Sequence, residues 1–86
     1  MKLLHTMLRV KELDRSLEFY LGFIGLRELR RKALGDEAVL VFLADEDGRH
    51  QIELTWNRGK TDYELGDQFG HLAFGAADLE AVVREV

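Results

Sequence analysis

The run Gln51–Asn57, QIELTWN, alternates between polar and apolar side chains. A period of two is typical of a β-strand that has one face on the core and the other face open. Ile52, Leu54 and Trp56 form the apolar face, whereas Glu53 projects from the opposite face. A carboxylate in the middle of a strand, on the side away from the core, marks a place where a functional site would be built.

A second short strand is predicted over residues 70–75, GHLAFG, after a polar segment that resembles a loop. Leu72 and Phe74 form its apolar side, and His71 projects from the other side. The two predicted strands therefore carry a carboxylate and an imidazole, both directed away from the apolar core.

Before residue 50, hydrophobic periodicity predicts three more strands and one helix. The helix begins near Leu13, where the period changes to the helical value, and it ends at the pair Gly22 and Gly25. The predicted elements are, in order, a strand over residues 3–10, this helix, a charged edge strand over 26–33, a buried central strand over 38–44 and a hairpin turn over 45–49.

This order of elements determines which strands lie side by side. A strand–helix–strand crossover makes the first two strands parallel, and two hairpins then turn the fourth strand parallel to the first. If the first and fourth strands are neighbours, His5 and Glu53 stand on one face of a mixed sheet. Arg9 and Asn57 then lie about 13 Å further along the same two strands. The helix is expected to cover the other face, against Leu4, Leu8, Leu54 and Trp56.

The chain contains an internal repeat with a shift of 66 residues, which aligns His5 with His71. The same shift matches Leu8 with Phe74, Leu13 with Leu79, Asp14 with Glu80 and Leu17 with Val83. The repeat predicts a first βαβββ module over residues 1–66 and the opening strand and helix of a second module over 67–86, within one domain overall. The helix of the second module is predicted over residues 78–86.

Composition excludes several classes of function. Eighty-six residues make one small domain, and the net charge of −4 argues against non-specific nucleic-acid binding. The absence of cysteine excludes a disulfide framework, a thiolate nucleophile and a cysteine-bound zinc. The sequence has no run of about 18 apolar residues that would span a membrane, and its start does not have the pattern of a signal peptide. The chain is therefore expected in the cytoplasm.

The motifs LLHTMLRV, LDRSLEFY, IELTWN, YELG and GHLAF follow one another along the chain. In this order and spacing they resemble the glyoxalase I (lactoylglutathione lyase) family of the small bacterial type, within the vicinal-oxygen-chelate superfamily. The resemblance implies an α+β fold in which paired βαβββ modules form a curled mixed sheet around a divalent metal. It also implies a homodimer with the active sites at its interface.

The resemblance implies a set of site residues and a reaction. The metal ligands would be His5, Glu53 and His71, and the anchors for the glutathione carboxylates would be Arg9 and Asn57. The family isomerises the hemithioacetal of methylglyoxal and glutathione to S-lactoylglutathione, which detoxifies methylglyoxal, through a metal-stabilised ene-diolate. A metal-bound carboxylate such as Glu53 would move the proton between the two carbons. Two histidines with carboxylates suit Ni²⁺, Zn²⁺ or Co²⁺, and the absence of longer insertions resembles the nickel-preferring class.

One part of the family's site has no counterpart in these 86 residues. The fourth ligand of the family, a glutamate that is also the principal base, lies in the last strand of the second module. The chain is therefore expected to be a fragment of a longer enzyme, or a truncated homologue that binds metal but shows little activity alone. An open sheet beside an unfinished module is also expected to oligomerise.

Other interpretations of the same residues remain open. A lone histidine in a strand is more often an ordinary polar residue than a ligand, and Arg9 could simply pair with a nearby acid. The superfamily also contains metal-free proteins that sequester drugs, as well as extradiol dioxygenases and epimerases. A structural remnant without chemistry is a third alternative. Trp56 and Phe74 are predicted to be core or interface aromatics, and residues 27–32 are predicted to be a solvated edge.

Overall fold

A four-stranded mixed sheet forms the centre of the chain and confirms the predicted α+β class. The computed structural model describes residues 1–85. The elements are β1 (His5–Val10), α1 (Leu13–Leu17), which continues as a π-helix (Glu18–Phe23), β2 (Arg27–Leu34), β3 (Ala38–Ala44), β4 (Gln51–Asn57) and α2 (Leu79–Arg84). The strands lie in the order β1-β4-β3-β2, with β1 parallel to β4 and antiparallel pairing elsewhere. The predicted parallel orientation of the first and fourth strands and the predicted edge strand are therefore confirmed, and the two parallel strands are neighbours.

The core lies between α1 and one face of the sheet. Val41, Leu43 and Leu54 are fully buried in the central strands, and Leu17 of α1 packs against this cluster together with Ile52. The sheet residues of this cluster belong to the apolar alternation of β4 and to the apolar run of β3. Burying each side chain of this size stabilises the fold by about 1.5–3 kcal/mol, so this layer determines which face of the sheet the helix covers.

The predicted packing partners of the helix are confirmed only in part. Leu8 and Leu54 belong to the core as predicted, but the prediction for Leu4 is wrong. Leu4 precedes the first residue of β1 and is 66% exposed. Trp56 is half-buried and lies outside the core cluster formed within residues 1–85. The core therefore includes Leu8 and Val10 of β1 with Ile52 and Leu54 of β4, but not Leu4.

The predicted helix is present, but its second half is wound as a π-helix. The amide of Ile24 donates to the carbonyl of Phe19 at 2.9 Å, a bond across five residues. The wider winding leaves Tyr20 and Leu21 against the core, while the rings of Phe19 and Phe23 stack at 5.8 Å. Burial of the Tyr20 hydroxyl raises its pKa. Apolar spacing did not predict this winding, because the recurrence of apolar residues every three or four positions was interpreted with the α-helical period.

Strand β2 is the exposed edge that its charges predict. All eight of its residues are exposed, and its pairing with β3 shifts register between Glu28 and Arg30. Arg31 donates two hydrogen bonds to the Glu28 carboxylate, which raises the pKa of the guanidinium. A bulge and a row of charges are two devices that keep an edge strand from pairing with another chain.

The turn between β3 and β4 forms where Asp and Gly predicted it. Asp45 Oδ1 accepts a hydrogen bond from the amide of Gly48 at 3.0 Å. Gly48 has φ +68°, a conformation that favours glycine. This turn fixes the antiparallel register in which Phe42 lies opposite Glu53.

The strand predicted over residues 70–75 is not formed, and this prediction is wrong. Its backbone lacks strand pairing, although Leu72 packs against the core. A strand requires a neighbour that shares its hydrogen bonds, and the alternating sequence does not supply one. The division into a module over 1–66 and a second over 67–86 therefore remains a prediction, of which the described residues form the helix but not the strand.

Helix α2 confirms the predicted helix near the end of the chain, with a start one residue later. Asp78 caps it, since its Oδ1 accepts a hydrogen bond from the amide of Ala81 at 3.1 Å. Val86, the last residue of the predicted helix, lies outside the described residues. Within residues 1–85, no helix is long and apolar enough to cross a membrane.

Candidate active site

His5 and Glu53 meet on the face of the sheet opposite α1. The parallel pairing of β1 with β4 sets Met7 directly beside Glu53, so His5 lies two residues away on the same face. The imidazole Nε2 of His5 and the Oε1 of Glu53 are 3.2 Å apart. The prediction that His5 and Glu53 lie side by side on one face of the sheet is therefore confirmed.

The carboxylate of Glu53 makes a polar contact at each of its oxygens. Glu53 is only 8% exposed, an unusual burial for a glutamate. Its Oε1 faces His5, and its Oε2 accepts a hydrogen bond of 2.7 Å from the hydroxyl of Thr55, which is also buried. A buried carboxylate with two polar contacts avoids most of the desolvation cost that an isolated one would incur.

An aromatic side chain of β3 forms one wall of the site. Phe42 lies opposite Glu53 in the β3–β4 pairing, and its ring meets the His5 imidazole edge to face at a centroid distance of 5.4 Å. The guanidinium carbon of Arg30, on edge strand β2, lies 3.8 Å from the centroid of the same ring. The Phe42 ring therefore supports one side of the His5 imidazole, and the Arg30 guanidinium places a positive charge near the site.

A polar pair lies further along the same two strands. Arg9 Nη1 donates a hydrogen bond to Asn57 Oδ1 at 2.9 Å, and both side chains are on the face that carries His5 and Glu53. The remaining guanidinium hydrogens and the amide hydrogens of Asn57 can still donate. The predicted register of these two residues is confirmed, and their remaining N–H donors are of the kind that can bind a carboxylate.

The residues that support the His5–Glu53 pair were not predicted from the sequence. Thr55 has the same place in the alternation of β4 as Glu53, but the sequence predicted no role for it, and the charges of β2 predicted Arg30 only as part of a solvated edge. Alternation along β4 could have identified Thr55, since residues two apart in a strand share a face. Phe42 and Arg30 depend on the register across three strands, which periodicity within one strand does not reveal.

The donors on this face fit two positions around a divalent metal. An imidazole and a carboxylate are ligands that Zn²⁺, Ni²⁺ and Co²⁺ accept, and here they already stand side by side. His71 is exposed, in the segment without strand pairing. His50 instead contacts the hydroxyl of Thr6 at 2.9 Å. Within residues 1–85 no group of three His, Cys, Asp or Glu side chains could hold a metal, so the proposed third ligand does not join this pair in a single chain.

Comparison with known families places this geometry in context. Residues 2–86 match the sequence profile of the glyoxalase/bleomycin resistance protein/dioxygenase superfamily. The chain belongs to this superfamily. Among relatives within it, the chain is 45% identical over 89 aligned positions to the lactoylglutathione lyase of Haemophilus influenzae, covering 100% of this chain and 66% of that protein. It is 45% identical over 82 positions to a probable lactoylglutathione lyase of Synechocystis, covering 92% and 63%.

Solved structures of glyoxalase I have the same fold. The trypanothione-dependent glyoxalase I of Leishmania major matches with a TM-score of 0.87 and 39% identity, over 99% of this chain and 63% of that one. Glyoxalase I from Zea mays matches with a TM-score of 0.86 and 32% identity, over 96% and 31%. The chain spans 59–66% of the length of the bacterial lactoylglutathione lyases that it matches.

Proposed function

We propose that this superfamily member supplies the His5–Glu53 part of a glyoxalase I site, in which the hemithioacetal of methylglyoxal and glutathione is isomerised to S-lactoylglutathione, and that these 86 residues alone have little activity. The observation that carries the proposal is the order of side chains on one face: the His5–Glu53 pair, followed by the Arg9–Asn57 pair on the same two strands. Relatives named lactoylglutathione lyase, at 45% identity, support the same conclusion. The expected role is detoxification of methylglyoxal, and the cytoplasmic location stays a prediction.

His5 and Glu53 would hold a divalent metal, and His71 of a second copy would join them at a homodimer interface. A second copy is proposed because the described residues of one chain bring only two of the three ligands together. When bound, the metal would stabilise the negative charge that develops on the two neighbouring oxygens of the substrate. Ni²⁺ is proposed as this metal, with Zn²⁺ and Co²⁺ as substitutes that the same ligands accept.

Glu53, Arg9 and Asn57 have separate proposed roles in proton transfer and substrate binding. Glu53 Oε1, the oxygen that Thr55 does not hold, would be available to the metal and could assist proton transfer between the two substrate carbons, beside the glutamate that is the family's principal base. Arg9 and Asn57 would bind a carboxylate of glutathione through their free N–H groups. Because the anchor lies about 13 Å from His5, an extended tripeptide conjugate is a better match than a short acid.

Metal binding provides the first test. Calorimetric titration of the purified protein with Ni²⁺ is expected to show binding that Glu53→Gln weakens at least about tenfold, because a neutral amide is a poor ligand. Glu64→Gln, which alters an exposed glutamate outside the sheet, should leave the affinity unchanged. Sedimentation with and without Ni²⁺ tests the second copy, and His71→Gln should weaken both dimer formation and Ni²⁺ binding. Equal affinity in wild type and Glu53→Gln would contradict the proposed metal site.

Ligand binding provides the second test and separates the enzyme from its alternative. S-lactoylglutathione is expected to bind more tightly when Ni²⁺ is present, and Arg9→Ala should weaken it by about 10- to 100-fold, the value of hydrogen bonds to a charged group. Arg84→Ala on exposed α2 is the matched control. Binding that is indifferent to Ni²⁺, to Glu53→Gln and to Arg9→Ala would overturn the glyoxalase proposal. Such a result would favour a metal-free binding protein of the same superfamily.

A further inference from the structure

We propose that Thr55 is a positioning residue that fixes the orientation of the Glu53 carboxylate and so directs Oε1 toward His5, an inference that rests on the proposed function of Glu53. The hydroxyl of Thr55 donates to Oε2 at 2.7 Å, and the contact is buried on both sides. Glu53 Oε1 is then the oxygen that lies 3.2 Å from His5 Nε2. One carboxylate oxygen is fixed by the protein, and the other is directed toward the site.

The need for such a contact follows from the flexibility of a glutamate side chain. The last torsion of glutamate is broad, so a carboxylate without a fixed partner samples many rotations. A hydroxyl that donates to an ionised carboxylate forms a short and strong hydrogen bond, and 2.7 Å lies within that range. Fixing one oxygen therefore removes the torsional freedom that a ligand would otherwise lose when it binds a metal.

The position of Thr55 makes it suited to this role. It lies two residues after Glu53 in β4, so both side chains project from the same face. A β-branched side chain has few χ1 rotamers, and the central position of β4 between β1 and β3 holds the backbone. The hydroxyl has a single hydrogen, and its donation to Oε2 leaves no donor for Oε1. Thr55 therefore supports one oxygen without competing for the other.

Removal of the hydroxyl tests the inference. Thr55→Val keeps the shape and the branching of the side chain but cannot donate, whereas Thr55→Ser keeps the donor. In calorimetric titrations with Ni²⁺, Thr55→Val is expected to weaken affinity by about 10- to 100-fold, as is usual when the partner of a metal ligand is lost. Thr55→Ser should restore it to within about threefold of wild type. Thr61→Val, in an exposed loop, is the matched control and should not change it.

A metal-free crystal structure of Thr55→Val separates this inference from the proposed function. The Glu53 carboxylate is expected to rotate, so that Oε1 leaves its contact with His5 while the sheet is unchanged. If Oε1 keeps that contact in the variant, Thr55 does not position it and the inference is overturned. If the wild type takes up no Ni²⁺, the proposed function fails, and the same crystal structure still decides the orientation. Should Thr55→Val not fold, Thr55→Ala replaces it in both measurements, with the same expected and contradicting results.

Discussion

The two copies of the strand–helix pattern, 66 residues apart in the sequence, adopt different structures. In the first copy His5 opens β1, which pairs along its length with β4. In the second copy His71 lies in a segment without strand pairing. The matched helix positions differ in the same way, because Leu17 is 9% exposed and Val83 is 62% exposed. Similar sequence patterns therefore do not guarantee similar structure.

The difference lies in what each copy can pack against. The first copy has β4 beside its strand and Leu54 beneath its helix, and both contacts come from residues far along the chain. Among the described residues of the second copy, Leu72 packs against the core, while Phe74 and Leu79 stay exposed. An amphipathic helix gains most of its stability from packing rather than from propensity, and a strand gains it from a paired neighbour. The first copy is therefore expected to be the stable part of the molecule.

The largest expected effect comes from truncating the matched helix positions. Leu17→Ala should lower the free energy of unfolding by about 2–3 kcal/mol, since it leaves a cavity over the core. Val83→Ala should change it by less than about 0.5 kcal/mol, because the side chain is exposed. Urea denaturation followed by circular dichroism measures both values. Similar losses for the two variants would mean that Val83 is buried in solution, as it would be if a second copy covered α2.

The hydrophobic pattern was sufficient to predict the bounds of strands that short connections join to one another. The bounds of β3 and β4 were predicted correctly, because an apolar run, an Asp-Gly turn and an alternating run follow one another without interruption. The crossover and the two hairpins predicted that β1 and β4 run parallel, but their adjacency was a condition of the prediction, which the structure meets. With that adjacency, alternation places His5 and Glu53 on one face, where they are neighbours.

The pattern failed where structure depends on contacts that local sequence does not encode. The segment over residues 70–75 alternates as a strand does, but pairing is a property of two segments and no partner was identified. The contact between Phe42 and His5 requires the register of three strands at once. The hydrogen bond from Thr55 to Glu53 required a choice of rotamers, which alternation does not give. The face of the site was therefore predictable, and its supporting contacts were not.

A smaller effect is expected from removing the matched histidines in the absence of metal. His5→Ala should destabilise the chain by about 1–2 kcal/mol, because Glu53 loses a polar partner and Phe42 loses an edge-to-face contact. His71→Ala should cost less than about 0.5 kcal/mol, because that side chain is exposed. Thermal melts of both variants in a chelator measure the difference. Equal losses would show that His71 also has a structural role, and would weaken the contrast between the two copies.

The smallest expected effect concerns two glycines, one on each side of the comparison. Gly48 ends the Asp45 turn with φ +68°, and an added Cβ would lie 3.5 Å from the Arg27 guanidinium, an ordinary contact. Gly48→Ala should therefore cost about 1 kcal/mol from backbone strain alone, since space is available. Gly75 has open space around it and no positive φ, so Gly75→Ala should be neutral or slightly stabilising through the unfolded chain. Urea denaturation, with the same m-value for both variants, measures the two changes in the free energy of unfolding. A loss at Gly75 as large as that at Gly48 would mean that the backbone near residue 75 adopts a restricted conformation in solution, and that the second copy is more ordered than its missing pairing indicates.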